Sequence, residues 1–475
     1  MRRPLRTAAA LAAAAVMAVA LPQAASAAPS GFMTGFTSLG FGTGADANTS
    51  YDHTVAAGGR LVVLYASWAS ISPRPPASGT DATNPANPGY NWGSLDQLVR
   101  GAAAHGLRVV LSIASIGGPA WADGPNRPQG INPGTWRPNA AAFGAFVKAV
   151  ARRYSGTFDP GTGTLPRVSY YEAWSEPNLD GFLAPAWVRA GGHWVAQSPI
   201  LYRGLLNAAY TAVKSVHRSN VVISGGLAGY GDPPGGHRVA PAVFLRELLC
   251  LHGQQLKPER CPNPAHFDIL DFHGYSVRGP WWRALNRDDA SLADVGKLTR
   301  ILTQAQRTRR ALPRGHKPVW VLEFAWDSNP PDPTATPMTT WSHWLEESFY
   351  VAWHQGVSAM GWTRLRDLPC VPVSTCDFVS RSGVYFVNGQ PKPGFEAFRF
   401  PFVVEPVGGR RAVVWGITPR SGTVLVQAWR RGSWRTITSF RRSAHAVFTR
   451  TIVSSRPSLM RARVGGETSL SWKFR

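Results

Sequence analysis

The sequence is short of acid, of cysteine and of late hydrophobic runs, and each shortage excludes something. Asp and Glu total 27 against 50 Lys and Arg, a formal net charge of +23. The basic residues are mostly scattered arginines, and no recognition motif of the usual nucleic-acid modules occurs, so no nucleic-acid partner is expected. A composition bias explains the charge more simply than an anionic polymer partner does. Beyond the first 27 residues no stretch approaches the about 18 uncharged apolar residues that a membrane helix needs, so no transmembrane segment is expected. No glycine-rich phosphate loop stands where a doubly wound nucleotide fold needs one, and no cofactor is implied. The four cysteines form two close pairs, Cys250 with Cys261 and Cys370 with Cys376. No histidine sits at ligand spacing beside either pair, which argues against zinc and leaves the metal assignment empty.

The chain opens with Arg2, Arg3 and Arg6, an apolar run Ala8–Leu21, and the small-residue signal Ala25-Ser26-Ala27. That is the pattern of a secretory signal peptide over residues 1–27, and it implies a secreted, extracellular protein. An oxidising compartment makes two local disulfides, Cys250–Cys261 and Cys370–Cys376, the expected state of the cysteines.

From residue 31 to about 400, short apolar runs alternate with helical patterns. Strands are predicted around Phe32–Ser38 and over Leu61–Trp68, Leu107–Ile113, the stretch from Val168, Val221–Gly225, Phe267–His273, Pro318–Glu323 and Val357–Trp362. Most are joined by helical segments, of which Pro138–Tyr154, with Phe143, Phe146, Val147 and Val150 at helical spacing, is the plainest. Eight strands with helical connections predict an α/β protein, a (β/α)8 TIM barrel. A doubly wound open sheet is the alternative. After Phe400 the pattern turns to short, partly alternating strands, predicting a small C-terminal β-sandwich. The expected division is therefore 1–27 signal peptide, 28–400 barrel and 401–475 accessory domain, in a monomer.

Val168–Asn178 (VSYYEAWSEPN) places Glu176 just past an apolar strand and immediately before Pro177, which has no N–H to continue a ladder. Glu323 ends the seventh strand, where alternation would put Val319, Val321 and Glu323 on one face with the valines filling the barrel. Both acids then stand at the carboxyl-terminal rim, where barrels of this kind carry their chemistry. One carboxyl that donates a proton and one that attacks a sugar carbon suit cleavage of a glycosidic bond. Glu172, four residues before Glu176, reads as a buried interior carboxylate in need of a partner.

These residues resemble a known family. Tyr171–Asn178 (YEAWSEPN) is similar to the fourth-strand WNEPN motif of the clan A retaining glycoside hydrolases, and Leu107–Ala122, ending GGPAWA, to their third strand and loop. His273-Gly274-Tyr275 matches their sixth-strand His-x-Tyr, Glu323 their seventh-strand nucleophile and Trp362 their eighth-strand tryptophan. The likeness is nearest to families 39 and 5 and spans most of residues 31–400. It implies Glu176 as general acid/base, Glu323 as nucleophile and Tyr275 as a hydrogen-bond donor to it. His273 would line the sugar site or pack at the barrel end; Asn178 would touch substrate or satisfy the turn after Pro177. Trp362 would floor the sugar site, with Trp68, Trp121 and Trp326 on the same rim; Trp281 and Trp282 are further aromatic candidates.

Two departures stand out. Ser175 replaces the motif's asparagine, which contacts the sugar 2-hydroxyl, and the clan's second-strand arginine is replaced by a residue within Leu61–Tyr65, Val63 being the expected position. The expected function is a secreted retaining glycosidase that cleaves β-glycosidic bonds of a polysaccharide or oligosaccharide. The alternative is a carbohydrate-binding barrel of the cell wall or matrix with impaired turnover.

Overall fold

The computed structural model describes residues 29, 31–37, 45–370, 377, 379–453 and 458–474. The signal-peptide expectation and Cys376, with its expected bond to Cys370, fall outside these residues. The Cys250–Cys261 disulfide is present, with a Cα–Cα distance of 5.8 Å. Among the described residues no helix is long and apolar enough to cross a membrane.

Eight strands form the centre: β1 Met33–Thr37, β2 Leu61–Ala66, β3 Arg108–Ile113, β4 Tyr170–Ala173, β5 Val221–Ser224, β6 Leu270–His273, β7 Val319–Phe324 and β8 Val357–Trp362. All their pairings are parallel. The sheet path begins at β5 and ends at Leu227–Ala228, a second piece of the same strand beyond Gly225-Gly226, which pairs with β6. A parallel bridge from Ile223 to Ile269, with Ser224 N donating to Ile269 O at 2.9 Å, joins the two ends. The predicted barrel therefore closes. Helices α1 Ala45–Ala56, α2 Leu95–Ala104, α3 Ala140–Arg153, α4 Ser198–Val216, α5 Pro241–Leu248, α6 Val295–Arg307 and α7 Met338–His354 surround it. Of these, α3 matches the expected Pro138–Tyr154 helix, while α1, whose weakly amphipathic ADANTSYDHTVA has no clear apolar stripe, carries no such signal.

The interior is a separate cluster. Leu61 and Val63 of β2, Val110 of β3, Ile223 of β5, Trp320 and Leu322 of β7 and Ala359 of β8 fill it, while Val62, Leu111, Tyr171, Val319, Val321 and Met360 face the helices. The expectation that Val319 and Val321 fill the barrel is thereby corrected: Trp320 and Leu322 do. Simple alternation would then point Glu323 away from the mouth. It does not, because the pairing of β7 with β8 shifts register between Val321 and Phe324. Such a shift re-aims a side chain locally, and it occurs here beside the carboxylate it turns inward.

The C-terminal strands form two antiparallel groups. Phe402–Pro406, Arg411–Ile417 and Val447–Val453 make one; Ser433–Arg442, Gly422–Arg430 and Ser458–Val464, with two short strands, make the other. Phe402, Val414, Val426, Phe448 and Ala462 are among the residues packed between them, as in a β-sandwich. The Phe402–Pro406 strand was missed by the sequence pattern.

This part docks on α7. Tyr350 and Trp353 meet Trp415 at ring-centroid distances of 5.6 and 6.0 Å. Glu346, fully buried, accepts hydrogen bonds from Phe402 N (3.1 Å) and Trp472 Nε1 and contacts His343 Nδ1 at 2.9 Å. Burial pushes its carboxyl up to about 7, against the pull of those partners. Glu346→Ala leaves the buried Phe402 N–H and the half-buried Trp472 and His343 ring nitrogens without this partner, and chemical denaturation should show a loss of about 2–4 kcal/mol. A change below about 0.5 kcal/mol would contradict the proposed docking contact.

Candidate active site

The fourth strand delivers its acid through two left-handed backbone positions. After Ala173, Trp174 has φ 76° and Glu176 φ 42°, both outside the region that non-glycine residues prefer. The first swings Trp174 out of the barrel, against Phe143 of α3 at a ring-centroid distance of 5.4 Å. The second carries Glu176 back over the mouth, where its N–H donates to Gly226 O at 2.9 Å. Each such residue costs about 1–3 kcal/mol and is held only by surroundings that over-determine it. Gly226 is one such support. A methyl group there would overlap the His273 ring and the Asp271 carboxylate, so the break in β5 needs glycine to let the backbone lie this close.

The sixth strand supplies the centre of the site. Asp271 and His273 point into the barrel, and Leu270 and Phe272 point out to the helices. His273 Nδ1 lies 3.1 Å from Glu176 Oε1 and 3.3 Å from Glu323 Oε2. Both acids are held to one ring nitrogen, so the gap between those two oxygens is no wider than the two contacts laid end to end. Their side chains are 19% and 22% exposed, against 3% for the histidine, so both face the opening above a buried ring. Tyr275 Oη donates to Glu323 Oε1 at 3.1 Å and pairs with Thr363 Oγ1 at 2.9 Å.

Burial is the strongest influence on Glu323 and raises its carboxyl above the usual range; Glu176 adds to this, while His273 and Tyr275 pull it down. For His273 burial works against a charge, but Glu323, Asp271 and Glu176 outweigh it, and the ring is held well above its ordinary value. Beneath the ring lies Glu172, buried as its sequence position implied. Its Oε1 accepts from Gly226 N at 3.2 Å. Burial, then the neighbouring Asp271, push its carboxyl up to about 8, with His273 opposing.

Glu172, Asp271 and His273 each bring one donor atom within 4.8 Å of the others. A metal would need a bare ring nitrogen. Nδ1 faces Glu176 and Glu323 and Nε2 faces Asp271, so both nitrogens are placed as donors and the group is an ion-paired one.

Several expected contacts are elsewhere. Trp362 sits on the helix-facing side of β8, fully buried among Phe324, Trp326 and Trp341, with Nε1 donating to Ser382 O at 2.6 Å. It is not an open floor for a sugar; the residue that β8 brings to the mouth is Thr363, just after it. Trp68 is also fully buried, packed on Phe143 and Phe146. Asn178 is fully buried and satisfies the turn: Nδ2 donates to Ala228 O and Val239 O, both at 3.0 Å, and Oδ1 accepts from Ala228 N at 2.9 Å. A substrate role is therefore withdrawn for all three, because no face of any is accessible. Trp326 is 8% exposed, with Nε1 bonded to Ser276 O; Trp121 is half-buried, its Nε1 on Ser72 O at 2.8 Å. Ser175 is 9% exposed, beside the acid. Trp281 is 41% exposed, but it lies against Tyr350 and bonds Glu347 Oε1 at 2.8 Å, on the α7 side.

Val63 lies in the interior layer, so the mouth position of β2 is two residues on, at Tyr65. Its phenol, raised by burial first, feels Glu323, Glu172 and Glu176 and, with opposite sign, Arg364. Sequence reading missed Tyr65, Thr363 and Asp271. Only Asp271 carried a signal, as an acid at an inward position of an apolar strand. An open basic cavity of about 630 Å3, lined by Arg60, Arg108, Lys214 and Lys317 among others, lies at the opposite end of the barrel, where the strands begin.

Two acids stand at the mouth of a closed parallel barrel, and comparison with solved structures agrees in fold. The chain is similar to a family 39 glycoside hydrolase from Bacteroides cellulosilyticus WH2, with 16% identity over 89% of this chain and 80% of that one and a TM-score of 0.55. It is similar also to a glucosidase from Croceicoccus marinus, with 13% identity over 89% and 94% of the two chains and a TM-score of 0.51. A scan against protein-family models and a search of curated proteins return no match.

The raised Glu172 carboxyl has a consequence for stability. A carboxyl lifted from an ordinary 4.5 to about 8 binds a proton in the folded but not the unfolded chain between those values. Stability must therefore fall as pH rises through that window. Glu172→Gln fixes the neutral form, so denaturation should show the variant gaining on the wild type from about pH 5 to about pH 9, by up to a few kcal/mol. A parallel pH dependence in the two proteins would contradict the buried neutral acid.

Proposed function

We propose that the protein is a secreted retaining glycoside hydrolase that cleaves β-glycosidic bonds of an oligosaccharide or polysaccharide. The observation that carries this is the pair of rim carboxylates on one histidine nitrogen, 3.1 and 3.3 Å away. Inverting enzymes keep their acids about 6.5–9.5 Å apart to admit a water; retaining enzymes hold them about 5–5.5 Å apart, and a shared nitrogen favours the closer arrangement. The likeness in fold to a family 39 glycoside hydrolase supports the same reading.

In the first step Glu323, ionised and hydrogen-bonded by Tyr275, attacks the anomeric carbon while Glu176 gives its proton to the departing oxygen. In the second, Glu176 takes a proton from water, and the resulting hydroxide oxygen displaces Glu323. Both acids belong to one chain, so a monomer suffices. The leader and the Cys250–Cys261 disulfide support export to an oxidising compartment, and the C-terminal strands serve as an accessory domain to the barrel.

Glu323→Ala should abolish hydrolysis, and Glu176→Ala should recover partly with azide or formate, assayed on a polysaccharide panel with the product anomer read by NMR. Full activity in either variant, or inversion at the anomeric carbon, would defeat the assignment. Ser175 in place of the motif's asparagine favours a second reading, a binding barrel without turnover; ligand affinity unchanged in both variants, with no product from the wild type, would establish it.

The acid limb of kcat/KM should report loss of the Glu323 charge and lie above the usual carboxylate range. Tyr275 lowers Glu323, so Tyr275→Phe should move that limb to higher pH and reduce kcat by about 10-fold or more. A shift to lower pH would contradict the role given to the phenol.

A further inference from the structure

We propose that Asp271 fixes His273 as a doubly protonated, cationic ring whose Nδ1–H is shared between Glu176 and Glu323, which makes Asp271 a positioning residue for the catalytic pair. The claim about the ring stands on geometry alone; its use in catalysis rests on the glycosidase reading. Nδ1 faces two carboxylate oxygens, at 3.1 and 3.3 Å, and Nε2 faces a third, Asp271 Oδ2, at 3.4 Å. A neutral imidazole has one N–H and one bare nitrogen, and the bare one would here point its lone pair at a carboxylate. Both nitrogens must carry protons.

Asp271 is itself locked. Its Oδ1 accepts from Phe272 N at 2.8 Å and Leu322 N at 2.9 Å. Its Oδ2, fully buried, has no hydrogen bond of ordinary geometry and is left to the ring. Glu172 is the remaining titratable neighbour from β4, and its raised carboxyl keeps it neutral, so it does not compete for the cation. From β2, Tyr65 adds a phenol that burial keeps uncharged.

The arrangement suits the charge that moves in the first step. Glu323 forms a bond to the anomeric carbon and loses its negative charge; the bond to the leaving oxygen breaks; the proton of Glu176 goes to that oxygen. One negative charge therefore passes from Glu323 to Glu176. A ring N–H within reach of both carboxylates pairs with the anion before and after, without itself gaining or losing a proton.

The test is 15N NMR of the full chain labelled at histidine, with the His273 signals assigned by their loss in His273→Gln. In the wild type both ring nitrogens should stay protonated from about pH 5 to about pH 8, across the range where an ordinary histidine titrates near 6.5. Asp271→Asn keeps the carbonyl that Phe272 and Leu322 need but turns an amide N–H2 toward Nε2. That nitrogen should then lose its proton and the ring be neutral at about pH 7, with kcat lowered by about 100-fold. Glu172→Gln should leave the ring charged. A neutral His273 in the wild type at about pH 7, or two protonated nitrogens in Asp271→Asn, would overturn the proposal. Should that variant not fold, the wild-type series decides alone. A charged ring in a protein that hydrolyses no glycoside would refute the glycosidase reading and leave the ring assignment standing.

Discussion

The site depends on one buried ring set among acids. Without His273, three carboxylates, Glu176, Glu323 and Asp271, would crowd the end of the barrel with nothing between them, and like charges at such range cannot all stay ionised. The cation is costly to bury. It is tolerated because each of its nitrogens meets an acid, at 3.1, 3.3 and 3.4 Å. The rest of the mouth is arranged around it: Gly226 lies close because it has no side chain, Asp271 is anchored by Phe272 and Leu322, and Tyr275 bonds the Glu323 oxygen that the ring does not.

Backbone irregularities aim the two acids at this ring. On the fourth strand they are the left-handed Trp174 and Glu176; on the seventh, the register shift after Val321. A regular barrel with the same residues would turn Glu323 toward the helices. The energy for these distortions comes from packing, with Trp174 wedged against Phe143 and Phe324 between Trp326 and Trp362. The buried tryptophans thus act on chemistry at one remove, by holding strand ends in shapes that isolated strands would not adopt.

How far the sequence could be read follows from the same physics. The eight strands and most of the helices were legible because period and apolar content report burial directly, and Glu176 was legible because Pro177 marks the strand's end. The direction of a side chain at a strand end was not. Counting back from Glu323 by alternation mis-assigned Val319 and Val321, since a bulge between them and the acid inverts the parity across it, and the resemblance put Trp362 at a site from which the helices cover it. Asn178 and Trp68 looked like site residues by type, but type does not reveal which face is covered. Tyr65 and Thr363 carried no signal, because a phenol and a hydroxyl gain their meaning only from the acids of other strands.

In the proposed reaction Glu323 forms a covalent bond to the sugar while Glu176 handles the proton. The most direct measurement is incubation with a panel of 2-deoxy-2-fluoro β-glycosides bearing good leaving groups, followed by peptide mass spectrometry. One fluorosugar per chain is expected, on the peptide containing Glu323 and on that side chain. Label on Glu176 or on another residue, or steady hydrolysis of these compounds with inversion and no labelled peptide, would contradict it.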